Sequence, residues 1–127
     1  MGNRVVRGTV MVSCKLNTDK GKVRFFIDKR NNYYEFIRCD GGSIVTAIGE
    51  EYINQIRTVA HNMSLDLGFG DVGGRKYNWV WEISPDEPVC RIEIWHIKTG
   101  VGYRFYLNCD DVNKFTKTIL NEVGDYS

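Results

Sequence analysis

Lys22, Arg24 and Phe26 occupy alternate positions in the stretch Lys22-Val23-Arg24-Phe25-Phe26-Ile27-Asp28, so an extended chain would put two cations and a ring on one side. Arg104 and Tyr106 stand in the same relation near the far end of the chain, and Arg75-Lys76 opens another apolar run. Cations interleaved with aromatic rings on an open surface suit one chemistry above others. The cations neutralise phosphates while unpaired bases stack on the rings, each stacked base contributing on the order of 1–3 kcal/mol. With Lys15 and Lys20 added from the preceding segment, the candidate patch is Lys15, Lys20, Lys22, Arg24, Phe26, Arg75, Lys76, Arg104 and Tyr106. The competing explanation is that these Lys and Arg residues only solubilise the wet face of a sheet, with Phe26 or Tyr106 covering a second core or an interface. Asp28, Glu35 and Glu93 favour that explanation, because they could bring negative charge to the same surface.

Other reactive groups carry less. Cys14, Cys39, Cys90 and Cys109 are widely spaced, form no C-x-x-C pair and lie far in sequence from His61 and His96, which argues against a zinc site. Each falls in or beside an apolar run, where a reduced thiol behaves as a small hydrophobe. His96, in Ile94-Trp95-His96-Ile97, reads as a sheet histidine with its hydrogen bonds satisfied and not as a general base. Glu50-Glu51 and Asp110-Asp111 diverge if they open helices, where capping explains them better than metal binding. The glycines from Gly68 to Gly74 have no following Lys-Ser/Thr and do not make a phosphate loop. Trp79, Trp81 and Trp95 read as core and not as ligand platforms. A non-enzyme without cofactor or metal is the expectation.

The elements that must hold the patch are written twice. Residues 41–60 fall without a gap on residues 100–119, with Gly41 on Gly100, Ile53 on Val112, Asn54 on Asn113 and Ile56 on Phe115. A second correspondence, at a shift of 54, places Lys22–Asp28 on Lys76–Glu82. A unit of about 60 residues is too long for most solenoids and points to two halves of one pseudo-symmetric domain. Alternation predicts strands over Val6–Leu16, from Lys22, over Tyr33–Cys39 and over Ser43–Ile48, then a helix from Glu50 to Met63. Asn31-Asn32 marks a hairpin turn. In the second half the order repeats as Ser64–Phe69, Tyr77–Ile83, Cys90–Ile97, Tyr103–Leu107 and a helix from Asp110 to Val123, with Asn108 as its N-cap. Val23, Phe25 and Ile27 are expected to face the helices, as are Tyr77, Trp79 and Trp81. On the fourth strands Ile44, Thr46 and Ile48 are assigned to the core with Tyr103, Phe105 and Leu107, leaving Val45 and Ala47, Arg104 and Tyr106 free. The third strand resists assignment, since Tyr33-Glu35-Ile37 and Tyr34-Phe36-Arg38 are both mixed.

This tandem ββββα order resembles the Whirly-type superfamily, which includes the plant Whirly proteins, the Pur proteins and the positive-cofactor-type transcriptional coactivators. Lys20-Gly21-Lys22-Val23 resembles the Lys-Gly-Lys strand start of the Whirly and coactivator groups. Ser43–Ile48 before an acidic helix start resembles the last strand and helix of the coactivators, as does Gly102–Leu120. The second half has Arg75-Lys76 where the triplet would stand. The resemblance implies the fold and the binding of single-stranded nucleic acid on the sheet face opposite the helices.

With 127 residues, 43% of them hydrophobic, and a net charge of +1, the chain reads as a single domain with pseudo-repeats at about 4–63 and 64–124. The near-neutral charge disfavours a histone-like mode and requires any nucleic-acid site to be a local patch. No apolar run is long enough to span a bilayer, and the expected address is cytoplasmic, or nuclear in a eukaryote. The expected fold class is α+β, a ββββα-ββββα pseudo-twofold domain of antiparallel sheets with helices on one face. The expected partner is single-stranded DNA or RNA. The alternative is a protein-interaction module, a small regulator or inhibitor working through a protein partner or as a homo-oligomer.

Overall fold

The computed structural model describes residues 11–65, 68–84, 86 and 88–124. Its elements are β1 (Val12–Thr18), β2 (Gly21–Asp28), a single 3₁₀ turn (Lys29–Asn31), β3 (Tyr33–Arg38), β4 (Ser43–Ile48) and α1 (Glu50–Leu65), followed by β5 (Phe69–Val72), β6 (Tyr77–Ile83), β7 (Val89–His96), β8 (Gly102–Asn108) and α2 (Cys109–Val123). Each half is an antiparallel meander, β1-β2-β3-β4 in one sheet and β5-β6-β7-β8 in the other, closed by its helix. The expected tandem ββββα architecture is present in both halves.

The alternation of β2 dictates its two faces. Val23, Phe25 and Ile27 are fully buried, while Lys22, Arg24 and Phe26 point away. Trp79 and Trp81 do the same for β6. The inward faces of the two sheets meet in one aromatic core, with the Phe36 ring 5.8 Å from Trp79 and 5.9 Å from Phe105. Phe115 of α2 stacks on Trp79 at 6.2 Å, and Ile53, Ile56, Val112 and Ile119 of the two helices are buried against the same core. At the start of α2 the cap is Asn108, whose Oδ1 accepts the Asp111 N–H at 2.8 Å, while Asp111 Oδ2 accepts the Asn17 N–H at 3.2 Å and ties α2 to β1 across the repeats.

The halves also exchange turns. Asp19, in the β1–β2 turn, accepts the Tyr106 N–H of edge strand β8 at 2.9 Å, and the Lys20 ammonium lies 4.7 Å from the Tyr103 ring. In the reciprocal place, Tyr77 at the start of β6 donates its hydroxyl to the Thr46 carbonyl of β4 at 3.4 Å. The Asn31-Asn32 turn is made without glycine, Asn32 taking the left-handed conformation at φ 51°.

Several boundaries and one face differ from the sequence reading. Most of the expected strand start over Val6–Leu16 lies outside the described residues, and β1 is seen from Val12. Of the strand expected at Ser64–Phe69, Ser64 and Leu65 belong to α1, where the Ser64 hydroxyl donates to the His61 carbonyl at 2.7 Å, residues 66 and 67 lie outside the described residues, and Phe69 opens β5. Gly70 sits inside β5, opposite Trp81, whose indole fills the space a Cβ would take. On β4 the assignment is reversed: Val45 and Ala47 are buried and Ile48 is 68% exposed. Val45 and Ala47 are the Cα partners of the fully buried Phe36 and Tyr34 and share their inward face, the bulge that pairs Ile37 with Ser43 lying beyond them. Trp95, expected in the core, is half-buried on the outward face of β7 opposite Gly102, where an added Cβ would come within 2.7 Å of its own Cβ.

Candidate nucleic-acid interface

Four of the nine candidate residues come together on the outward face of the first sheet. Lys15 of β1 is the Cα partner of Arg24 on β2, and Lys22 and Phe26 flank Arg24 on the same side. The Arg24 guanidinium lies 5.9 Å from the Phe26 ring. On the other flank, Ile37 of β3 is the Cα partner of Arg24. The result is a groove of about 380 Å³ bounded by Lys15, Arg24, Phe26, Ile37, Arg38 and Cys39. Lys15, Lys22 and Arg24 enter no ion pair among the described residues. A cation not already paired with a carboxylate can neutralise a phosphate and so release the counterions condensed on the strand.

The acidic residues feared as neighbours are largely occupied. Asp28 is buried and caps the 3₁₀ turn, accepting the Asn31 side-chain amide at 2.6 Å. Glu35 lies beside Phe26, but its carboxylate accepts hydrogen bonds from the hydroxyls of Tyr33, Ser43 at 3.4 Å and Thr46 at 3.2 Å. Burial, and then the hydrogen bond to Glu35 with its charge, pushes the Tyr33 phenol up to about 12. Its proton therefore stays in place at neutral pH.

The remaining candidates are dispersed. Arg104 and Tyr106 share the outward face of the second sheet, where charge is cancelled. The Arg104 guanidinium is 3.2 Å from the Glu93 carboxylate, and Arg91 bridges Glu93 at 3.0 Å and Glu82 at 3.1 Å. Lys20 is held over Tyr103 at the seam between the halves. Arg75 lies 4.0 Å from Glu51 at the start of α1, and Lys76 lines a separate small cleft with Thr46, Ile48 and Tyr52. Neither belongs to the groove. Ile37 and Arg38 do belong to it and were not singled out in the sequence, because the face of β3 could not be fixed there. The signal for Ile37 was the alternation Glu35-Ile37, legible once Tyr34 and Phe36 are known to be buried, whereas Arg38 has the parity of those two and reaches the groove only from the strand end.

Among the described residues no group of His, Cys, Asp or Glu could hold a metal ion, and no helix is long and apolar enough to cross a membrane. The His96 Nδ1 accepts the Thr99 N–H at 3.3 Å, which makes it a turn-closing residue at the end of β7. The four cysteines carry free thiols, Cys39 exposed and Cys90 buried.

No protein-family model matches the chain, and no curated protein matches it. Among solved structures, a chain from the crystal structures of Trypanosoma bruciei MRP1/MRP2 is similar to it, with a TM-score of 0.54 over 94% of this chain and 88% of that one at 11% identity. A likeness at that identity concerns the fold alone.

Proposed function

We propose that the chain is a non-enzymatic binder of single-stranded nucleic acid and that the strand lies on the outward face of the first sheet. The observation that carries this reading is the contrast between the two outward faces. Both hold cations and rings, but those of the second sheet are paired with Glu82 and Glu93, whereas Lys15, Lys22 and Arg24 make no ion pair among the described residues, the nearby Glu35 carboxylate being engaged by the Tyr33, Ser43 and Thr46 hydroxyls. The three cations answer phosphates and Phe26 offers a stacking surface, the combination that sequence-tolerant single-strand binding requires. The tandem ββββα order implied by the Whirly-type resemblance supports the same reading. The near-neutral net charge is consistent with a local patch in place of a global positive field.

Fluorescence anisotropy of a labelled oligo(dT) or oligo(dU), repeated across a salt series, tests the proposal. Binding in the micromolar range that weakens as salt rises is the expected result. Absence of salt-dependent binding to either strand would leave the protein-interaction reading in its place. That second reading has an observation of its own. Leu65 and Phe69, 73% and 63% exposed, sit at the end of α1 and on edge strand β5, where an open sheet edge invites a partner chain.

A further inference from the structure

Phe26, the ring of the groove, has a polar neighbour on its own face. Its Cα partner on β3 is Glu35, and the partner of Glu35 on β4 is Thr46. All three side chains point outward, Phe26 and Glu35 half-buried and Thr46 exposed. The adjacent row of the same face holds the cations, Lys15 opposite Arg24. Directly opposed side chains of a sheet stand about 5 Å apart at Cβ. A base laid on the Phe26 ring therefore turns an edge towards Glu35 while its phosphate stays beside Lys15 and Arg24.

The edge it meets accepts hydrogen bonds and does not donate them. Glu35 Oε1 accepts from the Tyr33 hydroxyl, and Oε2 accepts from Ser43 at 3.4 Å and Thr46 at 3.2 Å. The Ser43 and Thr46 oxygens are themselves 3.2 Å apart. A hydroxyl has one proton and two lone pairs, and a carboxylate has lone pairs alone. With the protons of Tyr33, Ser43 and Thr46 directed into the cluster, lone pairs are what remains for a ligand. The Ser43 and Thr46 contacts lie at the exposed surface, within a ligand's reach.

We propose that Glu35 and Thr46 make the Phe26 position select cytosine over uracil and thymine. Selection there rests on the groove reading above and adds to it a base choice that phosphate contacts and stacking lack. The exocyclic amino group of cytosine donates to the Glu35 carboxylate, a charge-assisted hydrogen bond of the kind acidic side chains make to that base. Uracil and thymine carry a carbonyl oxygen in the same place, so lone pairs would face lone pairs. A hydroxyl of the cluster could turn to meet that oxygen only by giving up its bond to Glu35.

The test is anisotropy of labelled oligo(dC) and oligo(dU) of equal length with the whole chain, at one salt concentration and neutral pH. The two strands share backbone and ring size and differ at the base edge. Oligo(dC) should bind about tenfold more tightly, the worth of one hydrogen bond to a charged acceptor. Glu35→Gln keeps the shape, removes a negative charge beside the cations and gives the site a donor. It should bind oligo(dU) at least as well as the native chain does, with the preference reduced to about twofold or less. Thr46→Val, which keeps the branched shape on an exposed position, should narrow the preference as well. If both strands bind with salt dependence and equal affinity, or oligo(dU) binds more tightly, the selection is overturned and the groove reading stands. A preference left intact by both substitutions also overturns it, since the base would then be read elsewhere. If neither strand binds, the groove reading fails and the selection fails with it.

Discussion

Replacing Lys15, Lys22 and Arg24 together with Gln should abolish most of the salt dependence of oligonucleotide binding. These three cations lie on adjacent strands of one face and make no ion pair among the described residues. Each phosphate contact on a single strand contributes a slope of about −0.7 in log affinity against log salt, so three predict about −2. Raising salt from about 50 to about 200 mM should then weaken the native protein by about 18-fold and the triple variant hardly at all. Arg104→Gln supplies the internal control. Its guanidinium already pairs with Glu93 at 3.2 Å, so a phosphate would displace a carboxylate and release fewer ions. Its slope should stay within about half a unit of the native value. Anisotropy of a fluorescein-labelled oligo(dT) measures both. A triple variant with the native slope, or an Arg104→Gln change as large as the triple one, would refute the assignment of the phosphate path to the first sheet.

Phe26→Ala should weaken binding by roughly 1–3 kcal/mol while leaving the salt slope unaltered, because a lost stacking surface releases no ions; anisotropy at two salt concentrations separates the two effects. Trp79→Ala should cost about 3–5 kcal/mol of stability in urea unfolding, since the indole is fully buried against Tyr34, Phe36 and Phe115 and its loss leaves a cavity where both sheets meet α2. Stability should fall on the alkaline side. Burial, and then the neighbouring Cys109, pushes the Cys90 thiol from 9.0 up to about 11, so its neutral form favours the folded chain fully below pH 9.0 and that preference is lost as pH rises through about 11. A urea midpoint that holds steady or rises between those pH values would contradict the burial of Cys90.

The sequence made the helices and the first hairpin legible because their apolar positions leave one choice. Val23, Phe25 and Ile27 alternate with Lys22 and Arg24, and only one of those sets can be buried. Val112, Phe115 and Ile119 form a single stripe behind the Asn108 cap. Strand β4 offered no such contrast: Ile44, Thr46 and Ile48 look no less apolar than Val45 and Ala47. The repeat itself misled there. The helices keep a spacing of 59, as in Ile53 and Val112, but the buried strand residues Val45 and Phe105, like Ala47 and Leu107, are 60 apart. The extra residue in the first half is accommodated between Ala47 and α1, where Ile48 is exposed and Gly49 takes φ 143°. An ungapped match therefore carried the helices across and turned the strand over.

The candidate patch was legible as a composition and not as a place. Alternation alone grouped Lys22, Arg24 and Phe26 correctly, and register brought Lys15 to them. Nothing local could reveal that Arg104 is neutralised by Glu93, since the pair is made across strands β7 and β8. Nor could it separate Arg75 and Lys76 from the groove, because the exchange of turns between halves carries them to the start of α1 and the edge of β4. Trp95 was placed in the core on residue type, yet parity on β7 puts it opposite to the buried Ile92 and Ile94.

Backbone amide shifts followed by two-dimensional NMR during titration with oligo(dT) test the central claim most directly. The predicted result is a contiguous set of perturbations at Lys15, Lys22, Arg24, Phe26, Ile37 and Arg38, with the exposed sides of α1 and α2 unchanged. Perturbations confined to the second sheet or the helices, or no perturbation at saturating oligonucleotide, would contradict it.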